Sequence, residues 1–217
     1  MPGAHLVDDV PTAFAALVRE LGPASMALSG GSTARECYES AAACNGDWST
    51  TSFWFGDERW VPVSDPESNE GMARRVWLDH GRTAGVYSLV EAGPDPETAA
   101  QNYEAQLRTA PPLGLVHLGL GPDGHTASLF PGSAALGETE RWVVATGDDV
   151  HPHPRLSITF SALAGVETIV VTVAGAEKRA AYRRVMDGDP ELPASRLVTA
   201  SELAERTTWL VDPAAAG

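Results

Sequence analysis

Gly114 to Ser133 reads GLVHLGLGPDGHTASLFPGS. Leu115-Val116-His117-Leu118 is an apolar run of the length of a buried strand. Gly119, Gly121 and Gly124, with Pro122 between them, bring that strand to an end in a tight turn. Asp123, His125, Thr126 and Ser128 then follow within six positions, and Pro131-Gly132 closes the segment. A carboxylate, an imidazole and two hydroxyls delivered at the carboxyl end of a strand predict the mouth of an α/β site.

Outward from this stretch the pattern repeats. Towards the amino terminus, Asp9 to Leu21 predicts a helix, with Val10, Phe14, Leu17 and Leu21 at helical spacing and Gly22-Pro23 as its stop. Ser25 to Leu28 and Phe53 to Phe55 read as strands, Ala34 to Ala43 and Glu97 to Leu107 as helices. A helix from Ser68 to Leu78 and a strand over Val86 to Leu89 are expected between them. Towards the carboxyl terminus, strands are expected at Trp142–Ala145, Leu156–Thr159, Thr168–Val173 and Thr208–Val211, a helix at Ala176–Met186, and a frayed tail at Pro213–Gly217. Alternating strands and helices predict an α/β fold, a mostly parallel sheet with helices on both faces, in a single domain over residues 1–217.

The 217 residues carry a formal charge of −14, which excludes the basic face that a non-specific nucleic-acid binder needs. An anion bound by so acidic a chain has to meet a local cluster of donors. Cys37 and Cys44 are the only cysteines and do not make a disulfide framework, so a reduced, cytoplasmic chain is expected. The amino terminus shows no secretory pattern, and no apolar run approaches the roughly 20 residues of a membrane span. The oligomeric state is left open, with a monomer favoured.

Three further patterns bear on chemistry. Leu28 runs into Ser29-Gly30-Gly31-Ser32-Thr33 ahead of a helix, an arrangement whose free amides and helix dipole suit an anion; a plain turn with a capping serine is the simpler alternative. Gly56-Asp57-Glu58-Arg59-Trp60 places charges after a strand, where Asp57 and Glu58 can face a pocket or pair with Arg59. Arg155, ahead of a strand, and Lys178, in the first turn of a helix where its charge opposes the dipole, supply the local cations. Gly119 to Gly124 matches the dinucleotide fingerprint G-x-G-x-x-G, but Pro131 arrives too soon for the helix that motif requires. His151 and His153 sit among prolines in a polar loop without a metal motif and read as solvated, while His117, alternating with apolar neighbours, reads as structural. His125, two residues after Asp123 in a strand-end turn, is the group suited to take a proton from water.

Taken together, Leu28 to Thr33, Phe55 to Pro62, Ser68-Asn69 with Met72-Ala73, Gly119 to Pro131, Pro154 to Thr159 and Gly175 to Lys178 resemble the 6-phosphogluconolactonase family, in that family's order and over nearly the whole chain. The resemblance implies a modified doubly wound fold of the glucosamine-6-phosphate deaminase type. It also implies hydrolysis of 6-phosphoglucono-δ-lactone, the second step of the oxidative pentose phosphate pathway, with no metal or organic cofactor. By motif, His125 would be the general base, with Asp123 beside it, and Asp57 and Arg59 would line the sugar end. Ser29, Gly30, Gly31, Ser32, Thr33, Arg155 and Lys178 would hold the phosphate. The related deaminases end this motif in Asn-Glu-Pro, whereas Leu129-Phe130-Pro131 stands here, which counts against deamination. A sugar-phosphate sensor without catalysis is the remaining alternative, and the small-molecule substrate is the only partner expected.

Overall fold

The computed structural model describes residues 3–44, 46–147 and 152–217. Among them the strands are β1 (Ala4–Leu6), β2 (Ser25–Leu28), β3 (Ser52–Phe55), β4 (Asp57–Arg59), β5 (Gly85–Val86), β6 (Leu115–Gly119), β7 (Val143–Thr146), β8 (Arg155–Ile158), β9 (Thr168–Val173) and β10 (Thr207–Val211). The helices are α1 (Val10–Leu21), α2 (Ser32–Ala43), α3 (Asn69–Val76), α4 (Pro96–Thr109), α5 (Phe160–Leu163), α6 (Arg179–Met186), α7 (Arg196–Thr199), α8 (Ser201–Ala204) and α9 (Pro213–Ala216).

Seven strands pair in parallel in the order β1-β10-β9-β6-β2-β3-β5. The central strands β2, β6 and β9 are apolar runs because both faces of a parallel sheet are covered. Adjacent residues of β3 show the two layers, since neighbours along a strand point to opposite faces. Phe53 meets Trp77, which in turn stacks on Tyr38 of α2, while Trp54 meets Tyr103 of α4. Phe14 of α1 packs against Tyr38 and His117, placing α1 with α2. Tyr103 also completes an edge: its hydroxyl accepts from the Phe55 amide at 2.7 Å and donates to the Phe55 carbonyl at 3.2 Å, beyond the end of β5.

Three expectations are corrected. First, the sheet is not the whole β structure. β3 leaves it at Gly56, whose amide donates to Leu28 O and whose carbonyl accepts from Ile158 N, and β4 continues into a small antiparallel sheet, β4-β8-β7. Second, Pro213–Gly217 is not frayed. Asp212 caps α9 through the Ala215 amide at 2.7 Å, and Ala215 is buried. Third, the expected strand over Val86–Leu89 pairs only at Gly85–Val86, because Tyr87 turns its ring onto Trp54 at 3.9 Å. In addition, Ala176–Lys178 is a 3₁₀ turn leading into α6.

Chain order reverses at one place in the large sheet. From β2 the chain moves to β3 on one side, whereas β6 lies on the other side of β2 and leads on to β9. The crevice beyond the carboxyl ends of β2 and β6 is where ligands bind in such sheets. The Ser29 to Thr33 turn and the Leu120 to His125 turn both fall there.

Candidate active site

The turn after β2 is held from below and open above. The Ser29 amide donates to the Tyr38 hydroxyl at 2.7 Å, and that hydroxyl lies 2.8 Å from His117 Nδ1. His117 Nε2 in turn meets Thr172 Oγ1 at 2.9 Å. Burial pushes His117 down to about 3, so it stays neutral and serves as a structural bridge, as its place inside β6 predicts. Gly31, at φ 94°, starts α2 with no side-chain cap, which leaves the first amides of the helix to an incoming anion.

β4 presents its residues alternately. Asp57 and Arg59 share a face, opposite Ser157 and Arg155 of β8. The buried Ser128 hydroxyl donates to Asp57 Oδ2 at 2.7 Å. Like charges set opposite each other disfavour pairing, yet Arg59 and Arg155 are cross-strand partners, and burial followed by the Arg59 charge lowers Arg155. Arg155 Nε is buried without a hydrogen-bond partner among the described residues. Two cations so placed call for an anion.

Glu58 points the other way and does not pair with the Arg59 guanidinium. Its carboxylate accepts from the amides of Arg59, Asn69 and Glu70 and from the Ser68 hydroxyl, at 2.7 to 2.9 Å. Burial raises it to about 7 against those four hydrogen bonds. It thereby ties β4 to the start of α3.

The turn after β6 carries a carboxylate–imidazole pair. His125 Nδ1 lies 2.5 Å from Asp123 Oδ1, and the His125 amide donates to the same oxygen at 3.2 Å. Partial burial disfavours the Asp123 charge, but the hydrogen bond and charge of His125 outweigh it and hold the carboxyl at about 2. A carboxylate there fixes the proton on Nδ1 and leaves the lone pair on Nε2. Phe130 flanks the imidazole, ring centroids 4.8 Å apart. Ala127, next in the wall, holds φ at 49°, a left-handed conformation that side chains other than glycine rarely adopt.

These elements enclose a cavity of about 200 Å³ whose lining contains Ser29, Gly30, Gly31, Ser32, Thr33, Asp57, Arg59, His125 and Lys178. Of the residues that the resemblance gives a catalytic or phosphate-binding role, Asp123, bonded behind His125, and Arg155, opposite Arg59, lie outside that lining. A larger hollow of about 720 Å³, walled by Trp60, Arg74 and Glu91 among others, has no histidine and no serial glycine turn in its lining. His153 meets Glu67 at 3.2 Å, and among the described residues no group of three or more His, Cys, Asp or Glu is placed to hold a metal. His151 and the acidic pair Asp148-Asp149 lie outside the described residues. Asn69 lines the cavity too; its sequence context places it at a helix start and in a block shared with the family, without a role in the site. Its position straight after the capping Ser68 was the available signal.

Residues 3–209 match the family described as glucosamine-6-phosphate isomerases/6-phosphogluconolactonase. A 6-phosphogluconolactonase of Synechocystis sp. is 37% identical over 216 residues, covering 94% of this chain and 88% of the relative. The crystal structure of 6-phosphogluconolactonase from Leishmania guyanensis superposes with a TM-score of 0.82 at 27% identity, covering 99% of this chain and 97% of that one. A monomeric glucosamine-6-phosphate deaminase shares the fold, with a TM-score of 0.84 at 18% identity over 99% of this chain and 98% of its own.

Proposed function

The chain belongs to the family of glucosamine-6-phosphate isomerases and 6-phosphogluconolactonases, and from that premise we infer that it hydrolyses 6-phosphoglucono-δ-lactone to 6-phosphogluconate, with His125 as the general base. The reading makes residues 1–217 one lactonase domain, working in the cytoplasm as a monomer on a small molecule. The observation that carries the mechanism is that His125, paired with Asp123, lines the same cavity as an uncapped helix start.

The substrate's phosphate sits at the Ser29 to Thr33 turn, where the open amides of α2 meet Lys178, and Arg155 adds charge from beside Arg59. This places the lactone carbonyl towards His125. Nε2 takes a proton from water as the water oxygen attacks the carbonyl carbon. The negative charge that forms on the carbonyl oxygen is met by Arg59. Collapse breaks the bond to the ring oxygen, which receives the proton from the imidazolium, giving a hydroxyl and a carboxylic acid that ionises. Asp123 keeps the imidazole in the competent tautomer throughout, and Asp57, oriented by Ser128, lines the sugar hydroxyls.

Phe130 favours this over deamination. It packs on His125 at the position where the deaminase motif supplies a carboxylate, so that position itself carries no proton-transfer group. Incubation with freshly prepared lactone and, separately, with glucosamine 6-phosphate tests the reading. Lactone opening above the spontaneous rate without ammonia release supports it. Ammonia release, or phosphosugar binding with no turnover, overturns it in favour of the deaminase or of a sensor.

A further inference from the structure

Asn69 stands where the start of α3 meets β4 and the Ser29 to Thr33 turn. It is 1% exposed. Its Nδ2 donates to the Asp57 carbonyl at 2.9 Å and lies 3.4 Å from Asp57 Oδ1, and its Oδ1 accepts from Arg59 Nη1 at 2.5 Å. The opposite amide orientation would set Nδ2 against a guanidinium and Oδ1 against two acceptors, so the network itself assigns the atoms. Across the cavity wall, a Cβ on Gly30 would come within 1.8 Å of Asn69 Oδ1, so the anion-binding turn runs directly against this amide. The Asn69 amide is held in turn by Glu58 Oε1 at 2.7 Å.

We propose that Asn69 is a positioning residue for the reaction, acting through Arg59. Nη1 of Arg59 has two hydrogens, and the Glu67 carbonyl at 3.0 Å and Asn69 Oδ1 take both. What the guanidinium offers a substrate therefore comes from Nη2 and Nε, and Asn69 sets their direction. An asparagine suits the place for three reasons. Aspartate would set a second carboxylate against Asp57, glutamine is one methylene too long for the gap to Gly30, and alanine leaves Nη1 half-satisfied and the guanidinium free to swing. Glu58 is the outer support, because it fixes the backbone of both partners through the Arg59 and Asn69 amides.

The proposal rests on the lactonase reading for its rate measurement and is tested by a double-mutant cycle of Asn69→Ala and Arg59→Ala. Both kcat and KM on the lactone are measured, together with 6-phosphogluconate affinity by calorimetry. Misdirecting a substrate-positioning group costs roughly 10- to 100-fold in kcat, and Asn69→Ala is expected to show that loss with KM changed by less than about threefold. In the Arg59→Ala background the second substitution is expected to cost nothing further, in rate or in affinity. Asn69→Asp, equal in size and still an acceptor for Arg59 though set against Asp57, carries the cycle if the alanine variant does not fold. An Asn69 substitution that costs the same factor with and without Arg59 overturns the proposal. Wild-type protein inactive on the lactone overturns the reaction assignment instead, and the cycle in 6-phosphogluconate affinity still decides the role of Asn69.

Discussion

Asp123 Oδ1 and His125 Nδ1 lie 2.5 Å apart, two residues from each other on one turn, with the carboxyl held at about 2. The carboxylate is thus ionised across the neutral range, and its hydrogen bond to Nδ1 leaves the lone pair on Nε2. Asp123→Asn keeps the shape of the turn but offers Nδ1 either an amide hydrogen or a weaker acceptor. Its kcat is expected to fall by roughly 100-fold, within the range that a general base contributes, with KM little changed. Steady-state kinetics on the lactone checks this, and a variant at wild-type kcat would show that the tautomer is set by something else.

Gly30 has no room for a side chain, since its Cβ would enter the Asn69 amide. Gly30→Ala is expected to displace the anion turn or push Asn69 from Arg59, lowering kcat/KM by roughly 10-fold or more, the scale of a misplaced binding group. The same variant should also melt at a lower temperature, because the added Cβ displaces a buried, hydrogen-bonded side chain. Kinetics and a thermal melt on one preparation separate the two effects.

Ser128 donates to Asp57 Oδ2 while its own amide is held by Ser157 Oγ at 3.1 Å. Ser128→Ala leaves a buried carboxylate short of a donor, a loss of about 1–3 kcal/mol. For a chain of this length that lowers Tm by roughly 2–4 °C per kcal/mol. Calorimetric melting checks the stability, and a raised KM for the lactone would accompany it if Asp57 orients the sugar.

Two buried groups pull stability in opposite directions with pH. His117, lowered to about 3 by burial, binds a proton more readily in the unfolded chain, so its contribution is complete above pH 6.5 and is lost as pH falls towards 3. Glu58, raised to about 7 by burial, binds its proton more tightly in the folded chain. Its contribution is complete below pH 4.5 and is lost as pH rises through 7. Between these values the two slopes oppose each other, each up to about 1.4 kcal/mol per pH unit. Glu58→Gln is therefore expected to lose stability on acidification from pH 6.5 to 4.5 more steeply than wild type. Urea unfolding at several pH values measures this, and identical slopes would show that Glu58 does not titrate in that window.

Much of the site was legible because it is local. The turns after β2 and β6 announce themselves through glycines and hydroxyls following apolar runs, and His117 could be set apart from His125 by its place inside a strand. The small antiparallel sheet was not legible. Three residues after Gly56 carry no period that shows they will leave a parallel sheet and pair with β8 some hundred positions later. β1 is a three-residue, largely exposed edge with no alternation to read, and α9, although Asp212 and Pro213 are a local start signal, is a single turn at the chain's end whose Ala215 is buried only by the tertiary packing. Asn69 and Glu58 escaped for a related reason: their roles come from a helix start meeting a strand end, and neither stretch shows the other in its own sequence.

The most direct measurement is hydrolysis of freshly generated 6-phosphoglucono-δ-lactone above the spontaneous background by wild type and His125→Ala, each checked for folding. Wild type should turn the lactone over, and the variant should lose roughly 10²- to 10⁴-fold in kcat while still binding 6-phosphogluconate. A folded His125→Ala protein that hydrolyses the lactone at the wild-type rate would contradict the assignment of His125 as the base.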